Sequence, residues 1–212
     1  MTAPDSLQKL LPLLFMMVGP IKLIPAFAVL SGQLEAPLRR QLALRSVAFA
    51  MLAATLAMLV GYPILSGWGA SPASLAAAAG LLLLLASLPQ ALGKEHSAPF
   101  TPPTTALHVK AMAVSPLAFP LILPPYAVGV LVLFAAYEPT WVMKLSVIGA
   151  VFVLMLLNFA AMTFARQLLG WIGVTTFQVL GAVFGVLQIA LAIEMILWAL
   201  AMAFPTSVPG ST

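Results

Sequence analysis

The chain has 212 residues, of which 63% are hydrophobic and only 7% are charged, against about 25% charged in a typical soluble domain. Nine Lys and Arg residues against five Asp and Glu residues give a net charge of +4, with a mean hydropathy of +1.13. This composition excludes a soluble domain and a disordered chain. The basic residues are scattered and form no patch that could bind nucleic acid. Because the chain contains no cysteine, disulfides are excluded as well.

Six apolar runs lie between the charged residues, and each is long enough to cross a hydrocarbon core of about 30 Å as a helix. They span residues 10–30, 46–66, 73–91, 111–137, 145–164 and 175–204. None shows the alternation that a strand would need. The sequence therefore predicts an all-α, polytopic membrane protein with six transmembrane helices, which contacts the lipid bilayer as its partner.

The basic residues predict the orientation of these helices, because cytoplasmic loops retain Lys and Arg. The loops on one face carry six of them, namely Arg39, Arg40, Arg45, Lys94, Lys110 and Arg166. The other face, with both termini, carries only Lys9 and Lys144. Both termini are expected outside the cytoplasm.

A proline motif recurs in the first and fourth predicted helices. Pro20 is followed by Pro25, and Pro116, which lies 96 residues after Pro20, is followed by Pro120. The same offset carries the second helix onto the fifth. Three helices in each half require the second half to enter the membrane from the opposite side, so we predict two inverted repeats, residues 1–92 and 110–212, joined by a polar linker, residues 93–109.

Prolines inside a helix remove a backbone hydrogen bond and push away the carbonyl four residues earlier. Pro20 should free the carbonyl of Met16, and Pro125 that of Leu121. Free carbonyls at membrane depth must be buried or line a polar cavity. Two broken helices in corresponding positions therefore predict a central binding site between the first and fourth helices, although prolines also kink membrane helices merely for packing.

The sequence of these broken helices resembles the MarC family of integral membrane proteins. Residues 15–27 resemble its first-helix signature, D-P-I-G-x-x-P, residues 115–128 resemble its fourth-helix pattern, and the likeness extends over essentially the whole chain. The resemblance implies six spans, outward termini in the bacterial inner membrane, and transport of small neutral amino acids. The chain departs from the signature where Gly19 replaces Asp, Lys22 replaces Gly and Glu194 replaces Gln.

Lys22 is predicted to lie near the bilayer midplane, because it is 13 residues from Lys9 and 13 from Glu35. Either end of a straight helix is then about 20 Å away, beyond the reach of a lysine side chain. A charge at this depth is costly and should face the bundle interior. Lys22 either pairs with Glu194, standing in for a coupling cation, or binds an anionic group of the substrate; Glu194 alternatively reaches the headgroups.

The predicted substrate-binding residues come from the two broken helices, and are Gly19, Pro20, Lys22, Pro25, Ser115, Pro116, Pro120, Pro125 and Tyr126. Asn158 and Gln188 either line the site or make interhelical hydrogen bonds. Gly181 and Gly185 have the spacing of close helix packing and leave room for a helix-mediated dimer. The only histidines, His96 and His108, lie in the linker, and no metal or cofactor is expected.

The sequence contains no motif for ATP binding and no residue set for an enzyme. The predicted function is secondary transport of small neutral amino acids or related solutes, by alternating access around the midplane site. The alternative is a membrane scaffold or accessory subunit that does not transport, in which the proline breaks serve packing.

Overall fold

The computed structural model describes residues 3–93, 110–137 and 140–204, and all the regular structure in these ranges is helical. The first part contains α1 (Ala3–Val18), a 3-10 turn (Pro20–Lys22), α2 (Leu23–Leu30), α3 (Ala36–Gly67) and α4 (Pro72–Ala91). The second part contains α5 (Lys110–Ile122), α6 (Pro125–Tyr137), α7 (Trp141–Thr163), α8 (Ala165–Ile172) and α9 (Val174–Ala203). Most of the predicted linker, with both histidines, lies outside the described residues.

Five stretches of helix are long and apolar enough to cross a membrane. They are Leu11–Leu30, formed by α1, the 3-10 turn and α2, and then α3, α4, α7 and α9. The helices α5 and α6 together are also long and apolar enough to cross a membrane, but they are bent by 64° at their junction. The described residues thus contain five candidate spans, or six if the bent pair crosses as one.

Local sequence signals set the ends of the helices. Ser71 caps α4, because its hydroxyl oxygen accepts a hydrogen bond from the Ser74 backbone N–H at 3.1 Å, and Pro72 follows at the first helical position. Gly173 separates α8 from α9 with a φ of +84°, a backbone conformation that glycine adopts without strain.

The span Leu11–Leu30 lies at the centre of the bundle. Half of its most apolar segment is buried inside the protein, whereas 22–39% of the corresponding segment is buried in each of the other four spans. The side chains of Leu14, Met17, Leu23 and Phe27 have no exposed surface at all. This position brings the first proline break into contact with several other helices, including α7 and α9.

The helices α4 and α9 form the most extensive contact in the bundle, and glycine allows their close approach. A Cβ atom on Gly185 would lie 2.6 Å from the backbone nitrogen of Ala91, and one on Gly80 would lie 2.9 Å from the Ile196 side chain. Gly181 is buried too. The Gly181–Gly185 face is therefore used for packing inside the chain, which confirms the predicted close helix contact, and a helix-mediated dimer stays a prediction.

The short helix α8 was not predicted, since Arg166 was expected in a loop. It packs against α2, and its residue Arg166 donates to the backbone carbonyls of Ser31, at 3.0 Å, and Gly32. These carbonyls lie just beyond the C-terminus of α2, where a cation is favourable. Arg166 thereby ties the second half of the chain to the first.

Candidate functional site

The central feature of the bundle is the break between α1 and α2. The helix α1 ends at Val18, Gly19 is extended (φ −66°, ψ 162°), and Pro20 opens the 3-10 turn. A helix end leaves its last carbonyls without backbone partners. Because this end lies inside an apolar bundle, each carbonyl needs a donor from elsewhere in the protein.

Three consecutive carbonyls at the end of α1 each receive a side-chain hydrogen bond. Gln188 Nε2 on α9 donates to the Met16 carbonyl at 2.9 Å. Lys22 Nζ, in the 3-10 turn, donates to Met17 at 2.5 Å, and Asn158 Nδ2 on α7 donates to Val18 at 2.8 Å. The broken end of α1 is thus held by donors from three different elements. We call these three carbonyls the α1 carbonyl row.

The predicted release of the Met16 carbonyl is confirmed, and Gln188 and Asn158 prove to make interhelical hydrogen bonds at the break. The other two carbonyls of the row were missed. The prediction covered only the carbonyl four residues before Pro20, on the assumption that the helix continues through the proline. In the structure, α1 ends at Val18. The Gly19–Pro20 pair was the available signal, because such a dipeptide commonly ends a helix.

Lys22 also connects the two broken spans. Its Nζ donates to the hydroxyl oxygen of Tyr126 on α6 at 3.2 Å and lies 5.5 Å from the centre of the Tyr126 ring, within reach of a cation–π interaction. Tyr126 itself is buried. Lys22 lies within the bundle, as predicted, and its partners are a carbonyl and a phenol hydroxyl.

The structure does not bring Lys22 and Glu194 together. Within the described ranges, no carboxylate is paired with Lys22 Nζ, and Glu194 is exposed. Glu194 lies six residues beyond Gln188, which places it about 240° further around α9 and about 9 Å along it. Since Gln188 faces the α1 carbonyl row, Glu194 necessarily faces away from it.

A small crevice lies beside Lys22, between the α1 break, α4 and α9. Its polar lining comes from Lys22, Gln188 and Gln90, and Phe15 and Phe184 close its sides. The crevice has a volume of about 20 Å³, which is room for a single water molecule. Gln90 was not predicted, because nothing in its local sequence indicates that it faces the crevice.

Gly19 lines the crevice and has no space for a side chain. A Cβ atom there would lie 2.0 Å from the carbonyl oxygen of Phe15 in the preceding helical turn. That oxygen belongs to the backbone and cannot move aside as a flexible side chain could. A larger residue at this position would require a different path of the chain through the break.

The second break, in α5 and α6, contains the remaining predicted site residues. Ser115 and Phe119 are extended, each before a proline, and interrupt α5. Pro125 was predicted to interrupt a helix, but it begins α6 instead. Proline is well tolerated at a helix start, because the backbone N–H that it lacks would have no partner there. Of the residues predicted here, only Tyr126 reaches Lys22.

The other predicted binding residues lie apart from the crevice. Ser115, Pro120 and Pro125 are exposed, and Pro25 and Pro116 are half-buried but do not line it. Pro20 borders an apolar groove of about 610 Å³ on the outside of α2, α7 and α8. The geometry therefore selects Gly19, Lys22 and Tyr126 from the predicted set, with Gln188 beside them.

Comparisons with known proteins agree with this architecture. A family model described as "MarC family integral membrane protein" matches residues 5–204. A UPF0056 membrane protein of Pyrococcus horikoshii is 25% identical over 90% of this chain and 92% of its own length. A UPF0056 membrane protein of Archaeoglobus fulgidus is 29% identical over 64% of each chain. No solved structure gives a significant match.

Proposed function

The chain belongs to the MarC family of integral membrane proteins, and from that premise we propose that it is a secondary transporter of small neutral amino acids or related small solutes. In this proposal the protein is a carrier and not an enzyme. The observation that carries it is the Lys22–Tyr126 contact, which joins two proline-broken spans beside a polar crevice inside the bundle. Broken helices that meet at membrane depth are typical of transporter binding sites.

The proposed cycle is alternating access between two inverted three-helix repeats. Helices at equivalent positions of the two halves pack on each other, α3 on α7 and α4 on α9, and this pairing supports the proposed two-fold relation between the halves. With room for one water molecule, the crevice corresponds to a closed state in this cycle. Rocking of one half against the other would separate Lys22 from Tyr126 and open the site.

Flux into proteoliposomes tests the proposal. Radiolabelled alanine, glycine or serine should enter vesicles containing the purified protein faster than empty vesicles. Lys22→Met fills the space of the side chain without its donor and should reduce the rate at least about tenfold, which corresponds to a barrier higher by about 1.4 kcal/mol. Lys144→Met is the matched control, because Lys144 lies over Trp141 near the start of α7 and should leave the rate unchanged. A folded wild-type protein with no flux of any small solute contradicts the proposal.

A membrane scaffold is the second candidate, and the small volume of the crevice is the observation that favours it. In a scaffold, the three side chains at the α1 carbonyl row simply hold a broken helix in place. The two candidates differ in the flux experiment: a scaffold gives no flux, and Lys22→Met then lowers only the melting temperature.

We also propose that the protein lies in the bacterial inner membrane, as the family resemblance implies, and that both termini lie outside, on the basis of its loop charges. The chain contains no cysteine, so single cysteines can report the side of each loop. Gln33→Cys, between α2 and α3, should react with a membrane-impermeant maleimide only after permeabilisation. Gly67→Cys, at the end of α3 where a side chain meets no neighbour, should react in intact cells. The reverse pattern contradicts this orientation.

A further inference from the structure

The Lys22 ammonium lies in an environment made of oxygen atoms rather than carboxylates. Its two hydrogen-bond acceptors are the Met17 carbonyl in the last turn of α1 and the Tyr126 hydroxyl. The C-terminal end of a helix carries a partial negative charge, so it favours a cation. The positive charge is thus held as a bound cation would be held.

This arrangement matches the way in which membrane transporters bind small cations. Carbonyls of interrupted helices and the C-terminal ends of half-helices are the ligands that such proteins offer to a coupling ion. Here the α1 carbonyl row supplies the helix end, and the buried Tyr126 supplies an oxygen from the opposite broken span. The Lys22 side chain brings its own cation to these oxygens.

Asn158 provides an independent indication that the position is rich in oxygen ligands. Its amide nitrogen binds Val18, the carbonyl next to that of Met17, and the residue is completely buried. Its side-chain oxygen has no hydrogen-bond partner. A buried acceptor without a donor is costly, and it leaves a further oxygen beside the α1 carbonyl row.

We propose that the ammonium of Lys22 is a built-in replacement for a bound monovalent cation at the end of α1. Removal of the side chain would leave a position that takes a small external cation, such as methylammonium, ammonium or sodium. For the transport cycle this inference rests on the proposed function: the wild-type protein would move its solute without a sodium or proton gradient, since the cation never leaves.

A thermal-stability experiment on purified Lys22→Ala tests the cation position without any need for transport. The melting temperature in detergent should rise by about 2–4 °C in saturating methylammonium chloride relative to choline chloride at equal ionic strength. The wild type, Lys22→Met and Lys144→Ala should show no such difference, because the position is filled in the first two and intact in the third. Equal melting of Lys22→Ala in methylammonium, ammonium, sodium and choline overturns the proposal.

Two further variants keep the result decisive. Lys22→Ser leaves nearly the same space and replaces Lys22→Ala if the latter does not fold. Lys22→Arg keeps the charge on the chain and should behave as the wild type in all four salts. Stabilisation of Lys22→Arg by methylammonium as large as that of Lys22→Ala overturns the proposal, since the cation would then bind elsewhere.

Flux measurements test the consequence for coupling. Wild-type flux should change less than twofold when sodium or proton gradients are removed, whereas flux in Lys22→Ala should rise at least fivefold with methylammonium. Wild-type flux that requires either gradient overturns the built-in cation. If the folded wild type moves no solute, the proposed transport function fails, and the melting experiment alone still decides whether Lys22 fills a cation position.

Discussion

The first and fourth predicted helices both contain a pair of prolines, but the two breaks are built differently. The span Leu11–Leu30 passes through its break as one crossing segment, while α5 and α6 are bent by 64°. At the first break, side chains from α7, α9 and the 3-10 turn bind the freed carbonyls. At the second, the hydrogen bonds around the junction join backbone groups: the Leu123 N–H donates to the Ala118 carbonyl and the Ala127 N–H to the Pro124 carbonyl, both at 3.0 Å.

The first break is therefore the polar half of the site, and the second break is its apolar half. Within the part of the chain that the structure describes, no side chain donates a hydrogen bond to the α5 backbone, and Leu117, Ile122 and Leu123 are buried there instead. Similar proline motifs therefore leave unequal chemistry in the two halves. Substitutions at the first break should be much more costly than substitutions at the second.

Gly19→Ala should give the largest effect. The new Cβ atom would lie 2.0 Å from a backbone oxygen, so we expect a loss of about 3 kcal/mol in unfolding free energy. Reversible unfolding in mixed detergent micelles would measure it. Gly149→Ala on α7 is the control, because a Cβ there meets nothing within 4 Å and should stabilise the helix by up to about 1 kcal/mol. Equal effects of the two would show that the path at Gly19 adjusts freely.

Asn158→Leu should come next. It leaves the Val18 carbonyl without a donor in a fully buried place, which costs about 2 kcal/mol. Gln188→Leu should cost less, about 1 kcal/mol, because a water molecule in the adjacent crevice can replace the amide at the Met16 carbonyl. The same unfolding measurement ranks the two, and a larger loss in Gln188→Leu would contradict this ranking.

Tyr126→Phe removes the hydrogen bond by which Lys22 connects the two breaks. Lys22 keeps its bond to the Met17 carbonyl, so the expected loss is only about 1 kcal/mol. Tyr137→Phe is the matched control, since the Tyr137 hydroxyl contacts the Met202 sulfur at an exposed position, and it should cost under about 0.5 kcal/mol. Double substitution with Lys22→Met should be non-additive if the two side chains interact directly. Additive losses would remove Tyr126 from the site.

Ser115→Ala should have the smallest effect. Ser115 is exposed, and its extended backbone (φ −133°, ψ 125°) suits alanine equally well. The unfolding free energy should stay within about 0.5 kcal/mol of the wild type, and flux should be unchanged. A loss as large as that of Asn158→Leu would show that the second break is also held by polar contacts.

The membrane spans could be predicted closely because hydropathy is a property of long segments. The predicted runs 10–30 and 111–137 correspond to Leu11–Leu30 and to α5 with α6. The helix α8 escaped prediction because eight residues with an arginine fall below any span length. That the first and fourth helices are broken also followed from their prolines, since the physical effect of proline is local.

The partners of Lys22 could be predicted only in part. Its distance from both ends of the first helix correctly placed it inside the bundle. The sequence left pairing with Glu194 as one of two alternatives, because the decision depends on which face of α9 meets the α1 break, and a helix that is apolar all round gives no such information. Tyr126 was named for its position after two prolines, yet the direction of its side chain follows from the 64° bend, which no local pattern encodes.

The length of α3 has a consequence for the surrounding lipid. Its 32 residues extend about 48 Å, well beyond a hydrocarbon core of about 30 Å. The excess falls at the N-terminal end, where Arg39, Arg40 and Arg45 lie. Each can gain about 1 kcal/mol near anionic headgroups. The headgroup composition of the membrane therefore helps to fix the depth at which α3 lies, and with it the depth of the bundle that α3 packs against.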